Sequence, residues 1–354
     1  MQTDRLDPGL QISQYAPQDL SDQLWESFFE LREQRFRGLL PDDPLPSREF
    51  RKKYMLSPHP HWKTFWWMVF STREQKFIGL GGLWFESQES PSYNVNKHIV
   101  YMDIYVDKNC RRQGIGTAYL KAILSQAKAH GKTLVRVESA EADSGVLFCQ
   151  NLGGRVVTER HVNRLKIENV DWSLMEKWRQ EGAQRAKGVS VELFQNVPEK
   201  DIDAYCKLYT QIMAQAPADD SAGQMIITPK KRRQDEKEYE KNGYAWHTMI
   251  TREPDGAMSG LTEIFYAPEQ PHLIDQELTG VKDAYRGRGL GKWLKADMLF
   301  FVKSQYPAAR FVDTGNADHN APMLSINERM GFEPLFSQTF FEFQAKDLAK
   351  TLGI

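Results

Sequence analysis

The pattern R-x-x-G-x-G occurs twice, as "RRQGIG" at residues 111–116 and "RGRGLG" at 286–291. The copies lie 175 positions apart in a chain of 354, and each follows a valine, Val106 or Val281, by five residues. Their surroundings repeat in the same order, so the chain reads as a duplicated unit. Before each loop stand three β-rich stretches: "WKTFWWMVFS", "KFIGLGGLWFES" and "HIVYMDIYV", then "YAWHTMITRE", "GAMSGLTEIFYA" and "LIDQELTGV". After each comes a helix-period segment, a short strand, a second helix ending in Gly, and a final strand. Each half is therefore expected to be α+β, a mixed and mostly antiparallel sheet flanked by helices. Two domains also suit the length, which is long for one core. The boundaries read as 1–168 for the first domain, 169–188 for a linker helix and 189–354 for the second. The linker "DWSLMEKWRQEGAQRAKG" carries Trp172, Leu174, Met175 and Trp178, which predicts a segment fixed by packing.

A glycine turn between a strand and a helix leaves backbone N–H groups without intrahelical partners at the positive helix end, which suits an anion. Gly114, Gly116, Gly287, Gly289 and Gly291 let phosphate approach the backbone, and Arg111, Arg112, Arg286 and Arg288 are cationic donors for its oxygens. Gln113, Ile115 and Leu290 complete the two loops. The third glycine of a dinucleotide fingerprint is missing, and no G-K-[S/T] follows, so neither a Rossmann nor a Walker loop fits.

Strand, R-x-x-G-x-G, helix, strand and a helix ending "GF" together resemble the GCN5-related N-acetyltransferase (GNAT) superfamily, and the whole chain resembles its tandem members. The resemblance implies two acyl-CoA N-acyltransferase folds, acetyl-CoA as cosubstrate with its pyrophosphate on the loops from Val106 and Val281, and an amine acceptor, either a small molecule or a peptide. It also implies pantetheine contacts for Asn316 and Asn320; an N-cap role for Asn320 is the alternative. Many members carry a Tyr four residues before the last Gly, able to protonate the departing thiolate. Here that position is Asn327 in the second half and Cys149 in the first.

Amine acylation needs a base. By the period of two, Asp275, Glu277 and Thr279 share a face of "LIDQELTGV", and Glu263 lies on the preceding strand. The first half offers only Asp103, on the opposite parity relative to its loop. Catalysis is therefore expected in the C-terminal half, with Glu277, Asp275 and Glu263 as candidates. The alternative is a non-catalytic acyl-CoA-binding module in one or both halves.

Other features point away from further functions. A formal net charge of −1 gives no basic field for nucleic acid. The run "KKRRQDEKEYEKNG" reads as a solvated helix with i,i+4 pairs Lys231/Asp235 and Arg232/Glu236. "HPH" at residues 59–61 reads as a turn, so no metal is expected. Trp62, Phe65, Trp66 and Trp67 read as core strand. The three cysteines, Cys110, Cys149 and Cys206, suggest neither disulfides nor a zinc knuckle. No apolar run is long enough for a membrane, and the start "MQTDRLDPGLQ" lacks the order of a secretion signal, so the expected location is cytoplasmic.

Overall fold

Runs rich in β-branched and aromatic residues set up the strands, and the computed structural model describes residues 7–57, 59–140, 144–215, 226–317 and 321–354. In chain order the first half contains β1 (Leu10–Tyr15), α1 (Asp22–Leu39), α2 (Arg48–Met55), β2 (Trp62–Ser71), β3 (Lys76–Glu86) and α3 (Tyr93–Asn96). Then follow β4 (Ile99–Val106), α4 (Ile115–Ala129), β5 (Leu134–Ser139), α5 (Gly145–Asn151) and β6 (Arg155–Lys166). The second half contains α6 (Trp172–Arg185), β7 (Ser190–Phe194), α7 (Ile202–Gln215), α8 (Pro229–Lys241), β8 (Ala245–Arg252) and β9 (Met258–Tyr266). It ends with β10 (Leu273–Val281), α9 (Leu290–Gln305), β11 (Phe311–Ala317), α10 (Ala321–Met330), β12 (Glu333–Gln344) and α11 (Ala345–Leu352). Among the described residues no helix is long and apolar enough to cross a membrane.

The fold divides into two compact units, but not along the contiguous boundaries expected from sequence. One unit comprises the described residues through Glu159 together with Gln338–Ile354, and the other is Arg160–Ser337. Strand composition alone does not say which neighbour a final strand will choose. Here the last residues of β12, Thr339–Gln344, pair antiparallel with β5 in the first unit. Arg160–Lys166 of β6 pair antiparallel with β11 in the second.

In the first unit β1 to β5 are neighbours in sequence order, antiparallel except for the parallel β4–β5 pair. Alternation distributes β2 and β3 to two cores. Met68, Phe77 and Leu80 pack with Trp25, Phe28 and Phe29 of α1, while Val69, Ile78 and Leu83 join α4, Phe341, Phe343 and Leu348. Leu120, Ile123, Leu124 and Ala127 form the buried stripe of α4, as their spacing predicts. Phe65 and Trp67 pack against that core and Trp66 against the other.

In the second unit β7, β8, β9 and β10 are antiparallel neighbours, and β10 runs parallel to β11. Gly256, at φ +87°, closes the β8–β9 hairpin where "EPDG" predicts a turn. The helix expected as a linker belongs to this unit's core. Asp171 caps it by accepting from the Leu174 N–H at 3.0 Å, and Met175 and Trp178 are buried. Gly182 lets α9 come close, since a Cβ there would lie 2.7 Å from that of Trp293.

The helix α8 also departs from expectation. Arg232, Asp235 and Glu236 are buried, so the charged run is not a solvated face. The Arg232–Glu236 pair forms at 2.9 Å, and the guanidinium stacks 3.4 Å over Trp246. All three cysteines are free thiols.

Candidate functional site

Both glycine loops deliver an uncapped helix end. Gly114 (φ +76°) and Gly289 (φ +85°) are left-handed N-caps of α4 and α9, and neither helix has a side-chain cap. The first-turn N–H groups therefore stay available to an anion. Gly287 (φ +79°) precedes the second cap by two residues, whereas the first loop holds Arg112 there at φ +64°. Gly116 and Gly291 have no such backbone requirement. A Cβ at Gly116 would meet Phe148 at 3.6 Å, and one at Gly291 would meet Ile326 at 3.8 Å, both ordinary contacts. Packing does not demand glycine at these two places. The missing Cβ at each clears the first turn of its helix, and a Cβ at Gly287 or Gly289 would meet nothing within 4 Å, which fits a diphosphate.

The arginines serve three different roles. Arg111 braces the end of β4, its Nε donating to the Val106 carbonyl at 3.0 Å, and its Nη1 donates to Ser144 Oγ at 3.1 Å. Arg286 does the same for β10 through the Val281 carbonyl at 3.3 Å. Arg288 turns away to the buried Glu253, with Nη1 3.0 Å from both carboxylate oxygens. Arg112 and Gln113 are exposed. Ile115 and Leu290 are buried and anchor the loops rather than face an anion.

Beside each loop two parallel strands part. β4 and β5 pair from Ile99–Leu134 to Met102–Val137, and β10 and β11 from Leu273–Phe311 to Asp275–Asp313. In the first unit a cavity of about 500 Å³ fills the wedge, lined among others by Asp103, Gly114, Leu120, Ser139, Phe148 and Cys149. Its carboxylate is committed, because Arg35 donates to both oxygens of Asp103 at 2.6 and 2.9 Å. Burial pushes the Cys149 thiol up to about 12.

The second unit differs where β10 meets β9. The register shifts between Gln276 and Thr279, so Glu277 and Leu278 form a bulge opposite Glu263. The extra residue turns Thr279 over. Its hydroxyl lies 2.7 Å from that of Thr262, which also accepts from Gln276 Nε2 at 2.9 Å. Thr279 therefore shares the face of Gln276, not that of Asp275, and the period-of-two expectation fails at this position.

Asp275 and Glu277 hold their protons unusually well. Asp275 is pushed up to about 6 by burial and by Asp313, against the opposing pull of Arg164. Glu277 is pushed up to about 7 by burial, then by Asp275 and Glu263. Its side chain is nonetheless open to solvent, as for a group in a recess walled by protein. Among the described residues no cation is paired with either carboxylate.

Glu263 does not fit a base. It is 1% exposed, and its Oε1 accepts from Tyr205 at 2.7 Å, Thr248 at 2.6 Å and Arg232 at 3.1 Å. Three donors, one of them a buried guanidinium, hold it in a structural role. Asn316 pairs through its backbone with His161 in β11, and Asn320 lies outside the described residues. One residue missed in sequence is Lys295, buried on α9. Its signal was a lysine in register with the apolar stripe of Met298 and Leu299.

Comparison with known proteins agrees with this geometry. Residues 25–146 match the model of the acetyltransferase (GNAT) family. Among curated proteins none matches the sequence. Among solved structures, a tandem GNAT protein from the clavulanic acid biosynthesis pathway is 20% identical with a TM-score of 0.73, covering 95% of this chain and 98% of its own. A GCN5-related N-acetyltransferase from Sphaerobacter thermophilus is 15% identical with a TM-score of 0.66, covering 96% and 97%. N-myristoyltransferase from Saccharomyces cerevisiae, with bound myristoyl-CoA, is 11% identical with a TM-score of 0.54, covering 96% and 80%. The chain is thus a tandem protein of the GNAT fold, carrying the family's sequence signature at residues 25–146.

Proposed function

We propose that the chain is an acyl-CoA-dependent N-acyltransferase that transfers an acetyl group to an amine, with the chemistry in the second unit. The observation that carries this reading is the pair Asp275 and Glu277, without cationic partners, at the point where β10 and β11 part. An alkylammonium acceptor titrates near 10.4, so freeing its lone pair at pH 7 costs roughly 4–5 kcal/mol. A carboxylate at about 7 is a far better proton acceptor than one at the ordinary 4.5. Glu277 takes the proton, with Asp275 holding its value high. The bulge releases backbone N–H from the β9 ladder beside it, a donor for the developing oxyanion.

The acyl donor lies with its diphosphate on the N-terminus of α9 over Gly289 and Gly291. The first unit binds the same donor over Gly114 and Gly116 without turning it over. This is supported by its committed Asp103 and by a Cys149 thiol that stays protonated.

Calorimetry with CoA tests the binding, and thiol release from acetyl-CoA across a panel of amines tests the chemistry. Gly116→Asp and Gly291→Asp place a carboxylate where phosphate sits, without a steric clash, and each should remove one of two sites. Glu277→Gln should lower kcat by about 10²–10⁴ with CoA affinity little changed. Full activity in Glu277→Gln together with loss in Gly116→Asp would reverse the assignment of units.

A further inference from the structure

Lys295 is the sixth residue of α9 and is only 1% exposed. Its Nζ stands 5.3 Å from the centre of the Phe332 ring. Among the described residues no carboxylate and no hydrogen-bond acceptor is paired with it. Packing does not call for a lysine here. The position corresponds to Leu120, 175 residues earlier, by the same offset that relates Arg111 to Arg286, Gly114 to Gly289 and Gly116 to Gly291. Leu120 lines the cavity of the first unit together with Phe148 and Cys149. The neighbouring helices also correspond: Phe148 stands beside Gly116 as Ile326 stands beside Gly291. The residue after Phe148 is Cys149, and the residue after Ile326 is Asn327. Phe332, under the lysine, is tied to Asn327 by its N–H, which donates to the Asn327 carbonyl at 3.0 Å.

We propose that Lys295 is the acid of the second unit, its ammonium lining the acyl-donor cleft between β10 and β11 and protonating the thiolate that leaves. This rests on the reading that the second unit binds acyl-CoA. The step balances without another reactant. The amine nitrogen forms a bond to the thioester carbon, the C–S bond breaks with its pair going to sulfur, and sulfur takes a proton from Nζ. The acceptor nitrogen loses two protons, one from the ammonium before attack and one as the amide forms. Glu277 takes each in turn and passes it to solvent, and the neutral Lys295 is recharged from solvent.

Magnitudes favour Lys295 over its neighbours. Burial alone lowers it to about 7, with no charged group on any packed element contributing. A thiol ordinarily titrates near 8.5, so transfer from Lys295 is downhill by roughly 1.5 units, whereas an ordinary lysine near 10.4 would give it uphill. Asn327 has no proton to give. In the first unit the thiol of Cys149, at about 12, is a poorer donor still.

The test is the pH profile of thiol release from acetyl-CoA, to water or to an amine of the panel, in the Gly116→Asp background that leaves only the second loop. With Lys295 as the acid, kcat should fall above about pH 7 as its ammonium is lost. Lys295→Met and Lys295→Leu should lower kcat by about 10²–10⁴ and remove that falling limb, while CoA affinity changes less than about threefold. Leu is the residue the first unit folds with, so Lys295→Leu controls for misfolding. With the falling limb absent in the parent, or kept in both variants, the assignment of Lys295 fails and the rest of the mechanism stands. If Gly291→Asp leaves CoA stoichiometry unchanged, the second unit does not bind the donor, and both readings fall together.

Discussion

Asp275 and Asp313 stand opposite each other on parallel strands, and of the two it is Asp313 that accepts from the guanidinium of Arg164, through two contacts of 2.8 Å. One carboxylate of the row is neutralised and the next is left to protonate. Asp275 and Glu277 lie above their ordinary values of 3.8 and 4.5, at about 6 and about 7. A raised native value means that the folded state binds the proton more tightly than the unfolded chain does. This contribution to stability is full below about pH 4 and is lost as pH rises through 6 to 7. Asp275→Asn should therefore melt higher than the parent at pH 8, with the difference closing below pH 5. Thermal unfolding at both pH values checks this, and an equal or lower melting temperature for the variant at pH 8 contradicts it.

Much of this arrangement was legible in the sequence, and its failures have physical causes. The loops were readable because positive φ and an uncapped helix end impose glycine locally, at Gly114 and Gly289. The bulge at Glu277 was not, because one inserted residue changes the face of Thr279 while leaving the composition of the strand intact. Arg232 looked solvated because i,i+4 charge pairs serve equally well on a surface or around a buried guanidinium. The pairing of β12 with β5 was hidden for a different reason. A strand's partner is chosen by the tertiary fold, and the only hint was the doubled apolar pattern Phe340, Phe341, Phe343.

Glu263 separates a structural carboxylate from a catalytic one. Among the described residues, Glu263→Ala leaves buried Arg232 with Glu236 as its one carboxylate partner, and removes the acceptor of Tyr205 and Thr248. Breaking a buried pair in this way costs about 3 kcal/mol. Urea unfolding should show that loss. Glu263→Gln, which keeps an acceptor oxygen, should retain turnover within about tenfold. A drop as large as that of Glu277→Gln would restore Glu263 as a base.

Arg112 occupies a left-handed position that the second loop fills with Gly287. A side chain there costs about 1–2 kcal/mol, offset in part by the roughly 0.5–1 kcal/mol of chain entropy that glycine would add. Arg112→Gly should therefore stabilise the first unit slightly, by about 0.5–1 kcal/mol in chemical denaturation. Calorimetry on the same variant should show weaker CoA binding with a shallower salt dependence, because one cation near the diphosphate is gone. A variant both less stable and unaltered in CoA binding would remove the reason for an arginine at this place.

The division into units predicts which fragment folds. The first unit takes Phe341, Phe343, Leu348, Ala349 and Leu352 into its core from the end of the chain. Glu342 in the same segment pairs with Arg155 at 2.7 Å and Arg136 at 3.5 Å. A fragment of residues 1–168, natural from the sequence boundaries, lacks all of them and leaves the outer edge of β5 unpaired. Each large apolar side chain contributes roughly 1.5–3 kcal/mol on burial, so losing four of them removes about as much as a typical domain's whole stability of 5–15 kcal/mol. The fragment should show no cooperative melting transition by circular dichroism. A chain in which residues 7–159 are joined through a flexible linker to 338–354 restores the missing strand and helix, and should melt cooperatively. Cooperative melting of 1–168 alone would show that the last strand adds to a core already complete without it.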